Sequence, residues 1–427
     1  MVHLLRRPRP PVQRFRPPLE READGVSEEA VRTAHGDRWL LLVTVLLLAA
    51  GLVMVLSASQ ALAYVEHRAP LYYFERQLAS VGLGGAAMVV LMRVDYRHLP
   101  PLIVPGAAMA TVLLVLVPLV GVQSNGARRW FAIGSLVVQP TELAKLAFGL
   151  FISYWLVRRG PRLREWKAGF VPFAVLLGGA VGLVLLEKDL GTSVIIAAIL
   201  VSAYFAGGGR KRYLAMLVLG LAVVFLAVVL YEPYRAARLV TFTNPFADPL
   251  GAGFQSTQAI YALGSGGAFG VGLGHSVQKF LWLPEAHTDF IFAIVGEETG
   301  LAGTTAILAG FVFFAVRGYR AALRAPDALG RVLATAITTW IAFQALVNMA
   351  TVTDTLPITG VPLPLISYGG TSVATSLAAI GILLSIASRG RQSLLDSSRR
   401  SDAALDLGRR DWRSPLPSAR RRASVPR

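Results

Sequence analysis

The chain has 427 residues, 54% of them hydrophobic and 16% charged, with a formal net charge of +17 and no cysteine. A mean hydropathy of +0.55 excludes an ordinary soluble domain. The missing cysteines exclude disulfides, thiolate nucleophiles and thiolate-bound metals, and six scattered histidines argue against a His-rich metal centre.

Residues 1–38, rich in Arg, Pro and Glu, read as a disordered cytoplasmic tail. Ala61-Leu62-Ala63 resembles a signal-peptidase site, but the long charged leader and the full-length apolar run before it indicate an uncleaved first span. Apolar windows then predict ten membrane spans, at 39–59, 74–92, 102–121, 140–158, 169–187, 191–208, 213–231, 289–316, 329–352 and 367–388. The fold class is therefore an all-α integral membrane protein with a membrane domain at 39–390. Lys and Arg fall in alternate loops (Arg93/Arg97, 158–167, 210–212, 317–331) and in both tails. That pattern places both termini in the cytoplasm and explains the basic charge without nucleic acid. The basic segment 391–427 reads as a disordered tail that is solvated or meets anionic lipid or a partner.

Five stretches carry candidate chemistry. Asn125 to Trp130 puts Arg128 and Arg129 in an external loop, against the positive-inside trend, where guanidinium groups suit phosphate or lipid head groups and Trp130 suits an interface or a sugar ring. Gln139 to Lys145 opens a helix with Pro140, and Glu142 and Lys145 share a face and can pair. Glu187, Lys188 and Asp189 form an external charged turn, read as solvated. Residues 232–288 form one long extracytoplasmic loop between the seventh and eighth spans. Residues 255–263 of it read as a short amphipathic or re-entrant helix, and 264–276 as a Gly-rich run. A loop of that length is expected to cap a cavity, its glycines serving tight turns or close approach rather than a nucleotide.

The fourth stretch, Leu283 to Gly300, leads from Glu285, His287, Thr288 and Asp289 into an apolar helix carrying Glu297 and Glu298. Thr288 is expected to cap that helix and Asp289 to lie in its first turn. Asp289 is the candidate general base. Alternation of Glu285, His287 and Asp289 also leaves Mg²⁺ or Mn²⁺ near a diphosphate open. The last stretch runs from Gln344 and Asn348 to Gly370, where three prolines and three glycines in 356–370 predict a broken connection lining a wet cavity, with Ser367 and Tyr368 facing it.

NGARRW, QPTELAKLA, SVQKFLWLPEAHTDFIFAIVGEETG and LPITGVPLPLISYGG stand in that order. Together they resemble the SEDS family (shape, elongation, division and sporulation) over residues 39–390. Ser276 to Lys279 and Gly296-Glu297-Glu298 are more like the division branch, FtsW, than the elongation branch, RodA. Thr299 departs from the bulkier apolar residue common there, and the N-terminal extension is long. The resemblance implies a peptidoglycan glycosyltransferase polymerising lipid II at the outer face of the cytoplasmic membrane, with a class B penicillin-binding protein and other division proteins as partners. It implies Asp289 as the catalytic residue. The expected substrate contacts are Arg128, Arg129, Trp130, Glu142, Lys145, Lys279, His287, Glu298, Gln344, Asn348 and Ser367. No permanently bound cofactor is expected beyond a divalent cation bridging the diphosphate. A lipid II flippase or a non-enzymatic division scaffold would share many of these features.

Overall fold

The computed structural model describes residues 37–411 except 125–126, 135, 232–241 and 243; of the tails expected to be disordered, 1–36 and 412–427 lie outside the described residues, whereas 391–411 continue the last helix, whose α-helical run ends at Asp411. The chain divides into residues 37–390 and a second unit formed by the two tails.

Helices occupy every predicted span position. They are α1 (Arg38–His67), α2 (Tyr72–Arg93), α3 (Pro100–Val120), α4 (Pro140–Arg159), α5 (Val171–Leu186), α6 (Leu190–Ala206), α7 (Lys211–Tyr231), α8 (Phe254–Ser265), α9 (Ile291–Leu323), α10 (Ala328–Val352) and α11 (Gly370–Asp411). Among the described residues, seven are long and apolar enough to cross a membrane: α1, α3, α5 with its preceding turn, α7, α9, α10 and the 370–390 part of α11. Of the others at predicted span positions, α2 carries Glu75, Arg76 and Arg93, α4 carries Glu142 and Lys145, and α6 has only 17 residues. The helix predicted inside 255–263 is α8.

Local chemistry sets the helix ends. Asp37 caps α1 by accepting from Leu40 N at 3.1 Å, and Asp327 caps α10 through Gly330 N at 2.7 Å. Pro140 starts α4, where its missing N–H costs nothing. The core lies around α10, buried along most of its length, whereas α7 buries only Tyr213 and Leu217.

Two expectations need correction. The fold is not purely α: β1 (Val122–Ser124), β2 (Ala127–Ile133) and β3 (Leu136–Val138) form an antiparallel meander in the order β1-β2-β3. Aromatic and β-branched residues around Gly134, at φ 62°, favour a hairpin there, and reading only for spans hid that signal. The eighth predicted span is also broken, at Gly300, whose φ 68° and ψ −163° are not helical. Residues 291–298 of α9 are buried without exception, forming a short half-helix ahead of the kink.

The Gly-rich run explains the break. Val271 N donates to Glu297 O at 3.0 Å, and Leu301 N to Gly267 O at 2.9 Å. A methyl group on Gly266 would sit 1.9 Å from Gly296 O, and one on Gly300 2.4 Å from Gly270 N. The glycines let two backbones touch.

Candidate active site

Asp289 precedes α9 instead of opening it. Phe290 is the N-cap, and Thr288 turns its hydroxyl to the Glu285 carboxylate at 2.7 Å. The cap expected of Thr288 is thus replaced by a local bond, because Glu285 (φ 55°) folds the chain back on itself. Buried Leu283, Ala286 and Phe290 anchor this turn and leave Asp289 half-buried.

The main chain around Asp289 is clamped from two sides. Asn348 of α10 donates to the Asp289 carbonyl at 2.7 Å and to Val361 O at 2.8 Å. Ser367 donates to Thr288 O at 2.6 Å and accepts from Leu363 N at 2.8 Å. Tyr368 N donates to His287 O at 2.9 Å. Residues 353–369 are non-helical, as their prolines and glycines predicted, and Gly360 (φ 68°) brings its Cα beside the Asp289 carboxylate.

A second network lies behind the first. Lys145 donates to Glu142 Oε1 at 2.8 Å and to Gln344 Oε1 at 2.7 Å, and Trp340 Nε1 donates to the same oxygen at 2.8 Å. Gln344 in turn donates to Pro362 O at 2.9 Å. Glu142 and Lys145 are each 1% exposed, so the pair expected from their spacing is fully dehydrated. A third network holds the loop to α1: Lys279 donates to Glu298 and Ser57, both at 3.0 Å, while Glu297 accepts from Ser276 Oγ at 2.5 Å and Val277 N at 2.8 Å.

Asp289 lies on the wall of a cavity of about 1800 Å³. Its polar part is formed by Glu75, Arg76, Arg129, Trp130, Lys188, Asp189, Glu285, Thr288 and Tyr368, and its apolar part by Leu83, Leu143, Leu146, Val229, Phe343 and Leu346. From residues 232–288, Gln255, Glu285 and Thr288 line that wall.

Of the expected catalytic and substrate-contact residues, Asp289, Arg129 and Trp130 line the cavity. Glu142, Lys145, Lys279, His287, Glu298, Gln344, Asn348 and Ser367 are buried behind the wall. Arg128 donates to Leu119 O at 2.8 Å and does not line it either. His287 lies among Tyr73 and Tyr368, with ring centroids 4.9 and 5.5 Å away. Burial lowers its pKa, against the pull of Glu285 and Glu66, which favours the neutral ring. Among the described residues no three His, Asp or Glu side chains converge to hold a metal, so a cation here would need oxygens from a substrate.

The charged turn is not uniformly solvated. Glu187 and Asp189 are 2% and 4% exposed, and only Lys188 is open. Asp189 accepts from Thr192 N at 2.9 Å and Oγ1 at 2.8 Å, capping α6. Burial, then the charge of Asp189, pushes the Glu187 carboxyl up to about 8, with Arg129 opposing. Arg76 and Glu75 were missed as site residues. Their signal was two charges at the end of an otherwise apolar window, a costly placement without a polar cavity.

A family model described as "Cell cycle protein", covering FtsW, RodA and SpoVE, matches residues 38–392. The chain belongs to this family. It is 41% identical over 356 residues to a probable peptidoglycan glycosyltransferase FtsW of Geobacter metallireducens, covering 83% of this chain and 95% of that one. It is 40% identical over 359 residues to the stage V sporulation protein E of Bacillus subtilis, covering 83% and 98%. Among solved structures, a chain from a peptidoglycan synthase complex that coordinates polymerization and crosslinking superposes with a TM-score of 0.69 at 29% identity, covering 83% of this chain and 98% of that one. The rod shape determining protein RodA of Thermus thermophilus superposes with a TM-score of 0.62 at 29% identity, covering 83% and 97%. As a family member, the chain is a multi-pass membrane protein with mostly helical architecture.

Proposed function

We propose that this chain is a peptidoglycan glycosyltransferase that polymerises lipid II into glycan strands at the outer face of the bacterial cytoplasmic membrane during cell division. The observation that carries this reading is the placement of Asp289, its main chain clamped by Asn348 and Ser367, on the wall of a large cavity lined by both charged and apolar side chains. A lipid-linked sugar needs both environments. Relatives about 40% identical that are named peptidoglycan glycosyltransferases support it.

The mechanism is a single displacement with inversion. Asp289 takes the proton of the acceptor sugar's 4-hydroxyl as that oxygen attacks the anomeric carbon of the donor. The anomeric C–O bond breaks, and its electron pair leaves on the lipid diphosphate. Arg76 and Arg129 on the cavity wall offset that growing charge, and a divalent cation bridging the diphosphate would add to them. The buried networks do not touch substrate in this scheme. They hold the wall in place, Lys145 and Gln344 through the Pro362 carbonyl and Lys279 with Glu298 through the loop.

The topology that goes with it has ten spans, both termini in the cytoplasm, and 232–288 as one extracytoplasmic loop. The division role implies work beside a class B penicillin-binding protein, and the synthase complex among the structural neighbours supports such a partner. The purified chain, incubated with lipid II in detergent, is expected to make glycan, whereas Asp289→Asn loses at least about 10²-fold in rate, the usual scale of general-base catalysis, with its unfolding midpoint unchanged. Polymerisation by Asp289→Asn at the normal rate sinks the assignment. A flippase or a scaffold makes no polymer in either form.

A further inference from the structure

We propose that Lys188, in the turn between α5 and α6, is a binding residue for the diphosphate of the lipid substrate; this deepens the glycosyltransferase reading and rests on it. Three observations converge on the turn. First, Lys188 lines the same cavity as Asp289. The two lysines expected to contact substrate do not: Lys145 and Lys279 are each under 6% exposed and lie outside its lining. Among the described residues the cations on the wall are therefore Arg76, Arg129 and Lys188.

Second, Lys188 has φ 59°, in the left-handed region. Glycine or asparagine adopts that conformation readily, whereas a lysine pays for it. Strain of this kind persists only where the surroundings impose it, and it concentrates at ligand sites.

Third, those surroundings are visible. Arg129 donates through Nε to Glu187 O at 3.2 Å and through Nη2 to Lys188 O at 2.7 Å. Asp189 fixes the other side of the turn by capping α6 with both carboxylate oxygens. Arg129 thus spends two donors on holding the backbone that carries Lys188. An ammonium on a fixed backbone and a flexible stem is a compact point charge, the form in which lysine serves phosphates. Arg129 is in this view a positioning residue as much as a ligand.

Farnesyl diphosphate serves as a short-tailed probe and farnesol as its uncharged control, each added to the purified full chain, with affinity read from the rise in unfolding midpoint. Lys188→Gly is expected to fold, since it relieves the strain, and to bind farnesyl diphosphate about 10–100-fold more weakly, the range of one charge-assisted hydrogen bond. Farnesol affinity stays unchanged, and Lys188→Arg keeps affinity within about threefold. Lys188→Asn, which also tolerates the left-handed backbone, gives the same loss and stands in should the glycine variant misfold. Unchanged affinity in Lys188→Gly or Lys188→Asn, an equal loss for farnesol, or no binding of farnesyl diphosphate to the natural chain overturns the proposal. The two readings fail separately. Active Asp289→Asn with Lys188-dependent binding removes the base and leaves this site, whereas inactive Asp289→Asn with Lys188-independent binding does the reverse.

Discussion

At the scale of single residues, the polar groups near Asp289 divide by whether they reach the cavity or hold its wall. Asn348 and Ser367 were expected to contact substrate, yet their hydrogen bonds end on main-chain atoms of Thr288, Asp289, Val361 and Leu363. Sequence order cannot tell a ligand from a clamp, because both need a polar side chain near the same turn. Lys145 shows the energetic side of that distinction. Removing one member of a buried ion pair strands the other, at about 3–5 kcal/mol. Lys145→Ala is therefore expected to lower the thermal unfolding midpoint markedly, and Lys145→Ala with Glu142→Gln to recover part of the loss. His287 supplies a pH test. Its pKa in the folded protein is lowered, chiefly by burial, so below about 6.5, the ordinary histidine value, the unfolded chain binds a proton that the folded one resists. Stability is then present above that pH and falls as pH drops. Midpoints measured from pH 8 to 5 should fall less in His287→Gln than in the natural chain.

Among elements, α9 departs most from its prediction. Its apolar run promised one span, and hydropathy cannot see that Gly300 turns the chain. The reason lies elsewhere in the sequence: the run 266–272 docks on the kink backbone to backbone, with Gly272 N donating to Glu298 O at 3.1 Å. Gly300→Ala meets two penalties, a positive φ with extended ψ that only glycine adopts readily, costing about 1–3 kcal/mol, and a methyl group 2.4 Å from Gly270 N. The expected result is loss of stability beyond the conformational term alone, seen as a lower midpoint in detergent, with slower polymerisation because Asp289 sits at the head of the half-helix that moves. A Gly300→Ala protein as stable and active as the natural one would show that the seam is dispensable. The small sheet is the converse case. Its strands were short and its glycines visible, but ladders are made between segments, and a reading for apolar windows does not pair them.

At the scale of the whole molecule, charges at the predicted cytoplasmic ends tie distant helices together. Arg317 grips Asp37 with contacts of 2.7 to 3.1 Å, Arg97 meets Asp327 at 2.7 Å, and Arg389 meets Asp95 at 2.9 Å. These residues join α1 to α9, and the α2–α3 connection to both the head of α10 and α11. That all three fall on the side with the basic loops agrees with the proposed orientation. The cysteine-free chain permits a clean test. A membrane-impermeant maleimide should label Val277→Cys from outside intact spheroplasts and Lys211→Cys only after permeabilisation. The reverse pattern, or labelling of both from one side, contradicts the ten-span topology.

Apolar windows and basic loops by themselves determined where the helices lie, because bilayer thickness and the cost of moving charge across it act on local sequence. The motif around Asp289 likewise marked where to look for chemistry, since a carboxylate beside an apolar run is costly wherever the chain puts it. Only the tertiary structure decided which charges face the cavity. Lys145, Lys279, Arg129 and Lys188 look alike in a string of letters, and what separates them is burial, set by α10, by the loop glycines and by the irregular segment 353–369.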